Sequence, residues 1–336
     1  MHNDKILLDH GSGGRASQQL VSELILSYFE NPILAELDDS AILDFEGGNL
    51  AFSTDSYTVD PIFFPGGDIG ELAINGTVND LAMRGAVPKY LSVGFIMEEG
   101  LSLSDFRKIL ASMKQAADYA GVQIVTGDTK VVPRNAADKI FINTSGIGII
   151  AEKVSISGKK TRPGDKVIIS GTIGDHGITV LTQRESMQFD TELRSDTAAL
   201  NHLVAEMIAV SEQIHTLRDP TRGGVATTLN EIARQSQVGI MLHENNLPIR
   251  DDVNAACEML GLDPLYLANE GKLLACVAAS DAEKVLAVMR RNEHGREAVI
   301  IGEVTGERPG KVFLKTGIGG TRIIDMLAGE PLPRIC

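Results

Sequence analysis

The sequence ends in GEPLPRIC, with Cys336 as its last residue. A thiol is a nucleophile and a carrier of acyl-type groups. Left exposed, it is prone to oxidation and cross-linking. A series of acids forms a second chemical set. Asp38 and Asp39 stand in LDDSAIL, Asp55 and Asp60 in FSTDSYTVDP, and Asn79 with Asp80 in NGTVNDLAMRG. Asp128, Thr129 and Lys130 follow in VTGDTKVV, Asp219 and Arg222 in LRDPTRGGV, and Asn269 with Glu270 in LANEGKLL. Several of these acids sit among small or apolar residues, where a charge is costly unless paired or bound to a cation. Mg2+ takes oxygen ligands, typically one or two carboxylates plus phosphate oxygens. The chemistry expected of the set is therefore a metal–phosphate site. A third stretch, HGSGGR, supplies His10, Gly11, Ser12, Gly13 and Gly14 before a helical pattern. Glycines there let the backbone approach a ligand, and helix N–H groups favour an anion. No GK[ST] follows, so this is not a Walker loop.

The elements that must position these groups come from hydrophobic periodicity. Helical spacing covers 16–30, 104–120, 199–211, 224–236 and 281–292. Strand-like runs cover 49–59, 89–97, 122–126, 140–150, 166–170, 238–243, 272–279, 298–304 and 311–315. The acids fall at apparent strand ends and turns. Some strands follow one another directly, which predicts an α/β or α+β fold with mixed sheets rather than one Rossmann unit. The polar, Gly/Pro-punctuated stretch EKVSISGKKTRPGDK divides the chain. It predicts a first domain over 1–152, a second over 153–328 and a mobile tail over 329–336. The two prolines of the tail favour an extended form.

Composition narrows the function. The chain has 336 residues, 43% of them hydrophobic, enough for a sizeable core. Its net charge is −14, and it has no basic run, which excludes nucleic acid as a natural partner. No apolar run reaches the ~18 residues a membrane helix needs, so the expected location is the cytoplasm. Cys257 and Cys276 lie in apolar patterns and read as small buried hydrophobes. The histidines show no HxxxH spacing. His10 and His176 stand in glycine-rich loops and are the two functional candidates among them.

Seven stretches occur in order between residues 10 and 273: HGSGG, STDS, NGTVNDLAMRGAVP, GDTK, RPGDKVIISG, DPTRGG and NEGKL. Together they resemble the ATP-binding superfamily of aminoimidazole ribonucleotide synthetase, selenophosphate synthetase and thiamine-monophosphate kinase. The final PRIC resembles the hydrogenase-maturation branch, the HypE family. The resemblance implies a two-domain synthetase-like fold, with N-terminal domains meeting in a dimeric β-barrel and Mg-ATP between domains. It implies that Asp39, Asp55, Asp80 and Asp219 serve Mg2+ and phosphate. It implies that His10 to Gly14 form a phosphate-side loop and that Asp128 and Lys130 stand at the reacting end. Asn79, Thr129 and Arg222 belong to the same motifs and are assigned to ATP. The implied reaction is ATP-dependent dehydration of a carbamoyl group carried on Cys336 to a thiocyanate. A HypF-type carbamoyltransferase would supply the carbamoyl group, and a HypC–HypD-type complex would take the cyanide. Such a reaction needs a cation near the phosphoryl group and a base near nitrogen. Lys130 is assigned the first role and Glu270 the second. The alternative is a selenophosphate synthetase-like enzyme, which typically carries a Cys or selenocysteine and a Lys in its N-terminal loop; HGSGGR has neither. A nucleotide-binding scaffold is the rival of another class. It would bind ATP without turnover that depends on Cys336.

Overall fold

The computed structural model describes residues 14–25, 32–45, 48–185, 192–329, 332 and 334–336. It opens with α1 (Arg15–Gln19), which widens into a π-helical turn over Leu20–Ile25. Then come β1 (Ala41–Phe45), β2 (Gly48–Tyr57), β3 (Phe63–Phe64), β4 (Gly67–Asp68) and α2 (Ile69–Met83). They are followed by β5 (Ala86–Glu98), α3 (Leu103–Ala120), β6 (Gln123–Val132) and β7 (Ile140–Ile150). The second half holds β8 (Lys166–Ile169), α4 (Asp175–Arg184), α5 (Asn201–Val210), β9 (Ile214–Arg218), α6 (Gly224–Ser236) and β10 (Gly239–His243). It finishes with α7 (Asp251–Leu260), β11 (Leu274–Val277), α8 (Ala279–Met289), β12 (Val299–Thr305), β13 (Lys311–Lys315) and β14 (Thr321–Ile324).

Two mixed sheets result, as the patterning predicts. The first runs β1-β2-β7-β5-β6, with only β5 and β6 parallel. The second runs β14-β13-β10-β12-β8-β11-β9, with only β10 and β13 parallel. Between them lies α2. Asp68 caps it, its carboxylate accepting from the N–H groups of Gly70 at 2.7 Å and Glu71 at 3.1 Å. Its residues are buried on nearly every side. At one end its Leu72 packs with Leu91 and Ile142 in the first core, while Ala82 and Met83 pack with Ile168, Leu217 and Leu273 in the second. The NGTVND motif therefore lies on a helix, and Asp80 belongs to its last turn rather than to a strand end or turn. A helix apolar all round shows no stripe, which is why periodicity misses it.

Alternation along β2 sends Ala51, Ser53 and Tyr57 toward α2 and Phe52, Thr54 and Ser56 to the far face. On that far face Phe52, Ile147 and Tyr90 form a row across three strands, flanked by Val87, Ile96 and Ile149. All six are exposed. An apolar face of this extent marks a contact surface.

Gly146 of β7 is one place where the sheet meets α2 closely. A Cβ there would lie 2.8 Å from Leu81 Cδ1, 2.8 Å from Leu91 Cδ2 and 2.9 Å from Thr77 Cγ2. Gly146→Ala is expected to destabilise the fold by about 1–3 kcal/mol through overpacking. Chemical denaturation read by circular dichroism checks this.

Candidate active site

The acids assigned to a metal are drawn from both halves. Asp39 precedes β1, Asp55 lies on β2, Asp80 on α2, and Asp219 directly follows β9. Arg218 holds this group together. Its Nε lies 2.6 Å from Asp39 Oδ1 and its Nη2 2.8 Å from Glu231 Oε2. Burial opposes the guanidinium charge, but Asp39, Glu231 and Asp219 outweigh it, so Arg218 stays cationic. Asp38, by contrast, is spent on Arg84 and on Ser157 Oγ at 2.9 Å.

One cation does not balance the set. Burial pushes the Asp39 carboxyl up to about 8 against the pull of Arg218, with Asp219 and Glu231 adding to the rise. Asp80 is raised well above the ordinary carboxylate range by burial, then by Asp219, Asp55 and Asp39. Its Oδ2 accepts from Ser53 Oγ at 2.6 Å, which resists that rise only in part. Asp219 is raised to about 6, again chiefly by burial. Glu270, 4% exposed, is raised by burial and by Asp196, Asp219 and Asp55, with Arg222 acting in the opposite direction.

These residues fit a hard divalent cation. Asp39 Oδ2 and Glu270 Oε1 are buried with no hydrogen-bond partner among the described residues. Among those residues, no three His, Cys, Asp or Glu side chains already converge as a ligand set. Mg2+ keeps waters and takes phosphate oxygens, so it needs few protein ligands.

The other assigned residues fall in different places. Asn79 is fully committed to backbone: its Nδ2 donates to Ala198 O at 3.0 Å and its Oδ1 accepts from Leu200 N at 2.8 Å. It braces α2 against the segment before α5 and has no spare group for a nucleotide. Asp128, Thr129 and Lys130 lie on β6, the exposed edge strand. Lys130 Nζ pairs with Asp128 at 2.8 Å, and both side chains are more than two-thirds exposed. Register places Asp128 beside Gly94, then Asn143, then Ser56. Three strand spacings of ~4.8 Å separate β6 from β2, about 14 Å. Asp128 and Lys130 share the far face with Asn143 and Ser56, opposite to Tyr57. Within one chain they do not join the buried acids. His10, Gly11, Ser12 and Gly13 lie outside the described residues. Gly14 is buried at the start of α1, where a Cβ would meet Leu327 O at 2.5 Å.

The tail completes the site. Cys336 O accepts from Thr58 N at 3.0 Å, and Arg334 O accepts from Asp60 N at 3.2 Å. The chain thus runs antiparallel to the residues that continue β2, with Cys336 at the end nearest Tyr57 and Asp55. Leu332 and Ile335 are buried in the first core, and Cys336 packs against it. Arg334 Nε donates to Thr58 O at 2.9 Å, and its Nη1 pairs with Asp138. Arg222 is held above its ordinary range first by the charge on Cys336, then by Asp55, Glu270 and Tyr57. One guanidinium is therefore in electrostatic reach of the thiol-bearing residue and of the acids.

A family model described as AIR synthase related protein, N-terminal domain, matches residues 37–150, and its C-terminal domain counterpart matches 162–315. Carbamoyl dehydratase HypE of Cupriavidus necator is 52% identical over 99% of this chain and 95% of its own length. The chain belongs to the HypE family. The Escherichia coli HypE is 49% identical, over 99% of this chain and all of its own length. A solved HypE–HypF complex superposes with a TM-score of 0.88 at 50% identity, covering 92% of this chain and 99% of that one. A HypE solved with ATP gives 0.84 at 55% identity, covering 99% and 100%. Thiamine monophosphate kinase of Aquifex aeolicus, at 22% identity and a TM-score of 0.66 over 89% of this chain and 97% of that one, shares the fold. For this HypE-family chain, Arg218, Ser53 and Thr58 stand inside the quoted motifs but were not among the residues singled out from them. Only the adjacency of Arg218 to Asp219 hinted at the first.

Because Asp80 holds its proton more tightly folded than unfolded, it contributes stability at low pH that is lost as pH rises past its ordinary range. Asp80→Asn keeps an acceptor for Ser53 and removes this cost. Without added metal, the variant is expected to be about 1–2 kcal/mol more stable at pH 7.5, with a flatter pH dependence. Thermal melts across pH in a chelator check this.

Proposed function

We propose that this chain is an ATP-dependent carbamoyl dehydratase acting on its own Cys336. The observation that carries the reading is the docked tail, whose Cys336 O accepts from Thr58 N at 3.0 Å on the continuation of β2, with Arg222 in electrostatic reach of Cys336, Asp55 and Glu270. A thiol beside buried acids that suit a metal–phosphate group matches the chemistry of a carrier processed in its own nucleotide site.

An amide oxygen is a poor leaving group. Transfer of the γ-phosphoryl group of ATP to the carbamoyl oxygen releases ADP and one N–H proton, giving an O-phosphorylated imidate on sulfur. Loss of the second N–H proton with departure of phosphate leaves S–C≡N. Asp39, Asp55, Asp80 and Asp219 would hold Mg2+, which when bound neutralises triphosphate charge. Glu270 takes the N–H protons. Its buried setting raises its basicity, and Arg222 moderates that rise so that the carboxylate form is reachable. Arg222 also draws the charged end of the tail toward the acids. The wall of Tyr57, Leu332 and Ile335 keeps water from the carbamoyl carbon.

The assembly we propose is a homodimer through the far face of the first sheet, where Phe52, Tyr90 and Ile147 lie exposed. Lys130 and Asp128 share that face and are assigned to the cleft of the second copy, with Lys130 opposite the transferring phosphoryl group. The carbamoyl donor is a HypF-type enzyme, and the acceptor a HypC–HypD-type complex. The site of action is the cytoplasm.

Intact mass spectrometry with the carbamoyl-donating partner tests the reaction. Expected is one added carbamoyl group on wild type, then loss of one water only with Mg-ATP, and neither change in Cys336→Ala. Glu270→Gln should slow the water loss roughly 10²–10⁴-fold, and unchanged turnover would sink its role as base. Mixed dimers test Lys130. Coexpressed Lys130→Ala and Cys336→Ala chains should regain roughly a quarter of wild-type turnover, since half the dimers carry one complete site. No recovery overturns the assignment across the dimer.

A further inference from the structure

His176 opens α4 in the run GDHG and is completely buried, yet the reaction above makes no use of it. Both of its ring nitrogens are engaged. Nδ1 lies 2.8 Å from Ser195 Oγ, and Nε2 lies 2.7 Å from Ile335 O. The roles follow from the neighbours. Ser195 Oγ accepts from Thr197 N at 3.1 Å, so its own proton is free for His176 Nδ1. Nδ1 then accepts, Nε2 carries the hydrogen, and Nε2–H donates to the carbonyl of Ile335, which can only accept. The ring stands edge-on to Phe64, centroids 5.5 Å apart, so it has little room to turn.

A second side chain of the same helix acts one residue earlier. Arg184 Nη2 donates to Arg334 O at 2.6 Å, and its Nε donates to Asp60 O at 2.7 Å. Thus α4 grips two successive carbonyls of the tail from one side, while Thr58 and Asp60 grip the tail from the other. Arg334 itself sits in the left-handed region, φ 53°, a conformation that persists only where surroundings enforce it.

We propose that His176 is a positioning residue for Cys336: through the Ile335 carbonyl it sets how deeply the tail enters the cleft and so where the sulfur stands relative to Glu270. Segment 195–196 ties the two together. Ser195 orients His176, and the next residue, Asp196, accepts from Glu270 N at 2.9 Å through Oδ1. Tail depth and the base are thereby referred to the same two residues. The proposal deepens the dehydratase reading and rests on it for the catalytic part, but the docking part is measurable without turnover.

Thiol reactivity reads the docking. Cys257 and Cys276 are buried and Cys336 is not, so a disulfide reagent such as dithionitrobenzoate reports Cys336. The expected result for His176→Ala is roughly tenfold faster modification, the loss of about one neutral hydrogen bond. His176→Gln, which keeps an N–H donor in reach, should restore most of the slow rate. Arg184→Ala, on a partly exposed side chain, should move the rate in the same direction and guards against a His176→Ala chain that fails to fold. In turnover, kcat for water loss should fall in His176→Ala with KM for ATP unchanged, while carbamoylation by the partner enzyme continues. Unchanged thiol reactivity in both His176→Ala and Arg184→Ala overturns the proposal. Faster modification in these variants with no ATP-dependent water loss in wild type would keep the docking role and discard the dehydratase reading instead.

Discussion

The structure depends on tolerating several carboxyl groups in one another's electrostatic field, with two arginines nearby. Asp39, Asp55, Asp80, Asp219 and Glu270 lie within electrostatic reach of one another, and Arg218 and Arg222 are the cations facing them. Such a grouping opposes folding, because burial and mutual repulsion both disfavour the ionised forms. The two sheets and the helix between them must supply enough apolar burial to hold it. The arrangement of α2 is the means. Because α2 is packed into both cores, Asp80 is carried into the cleft on an element that cannot shift without disturbing each half. The unfavourable charge is thereby held on an element anchored in both cores.

The two arginines divide the work. Arg218 is locked into Asp39 and Glu231 and serves the resting fold. Arg222, at the turn before α6, looks toward the tail. Its electrostatic partners include both Cys336 and the acids Asp55 and Glu270. Glu270 lies between these influences, with its backbone fixed through Asp196 and its carboxyl group exposed to the field of Arg222.

Much of this was legible in the sequence, for identifiable reasons. The helix over 224–236 was predicted at both ends because its apolar residues Val225, Ala226, Leu229, Ile232 and Ala233 recur at helical spacing. The acids were found because carboxylates among small residues are chemically conspicuous. The helices over 69–83, 175–184 and 251–260 were not found. The first is buried all round, and the second begins in a glycine-rich run that reads as a loop. The same cause hid the role of Asn79, whose motif reads as ligand-binding while its amide serves backbone. Lys130 shows another limit: neighbouring motif residues reveal chemistry, but the face of a strand on which they stand depends on register. The tail carried no periodic signal either. Its prolines predicted extension, whereas its docking depends on carbonyls, which every residue type has.

That last feature sets how the tail can depart. The docked segment lies along the continuation of β2 as a short strand lies on the edge of a sheet, joined by main-chain bonds at Thr58 and Asp60. Peeling it breaks those bonds and the ones from His176 and Arg184, and withdraws Leu332 and Ile335 from the first core while the second core is untouched. Undocking of the tail is then local fraying rather than hinge motion, and the two sheets need not move apart for it.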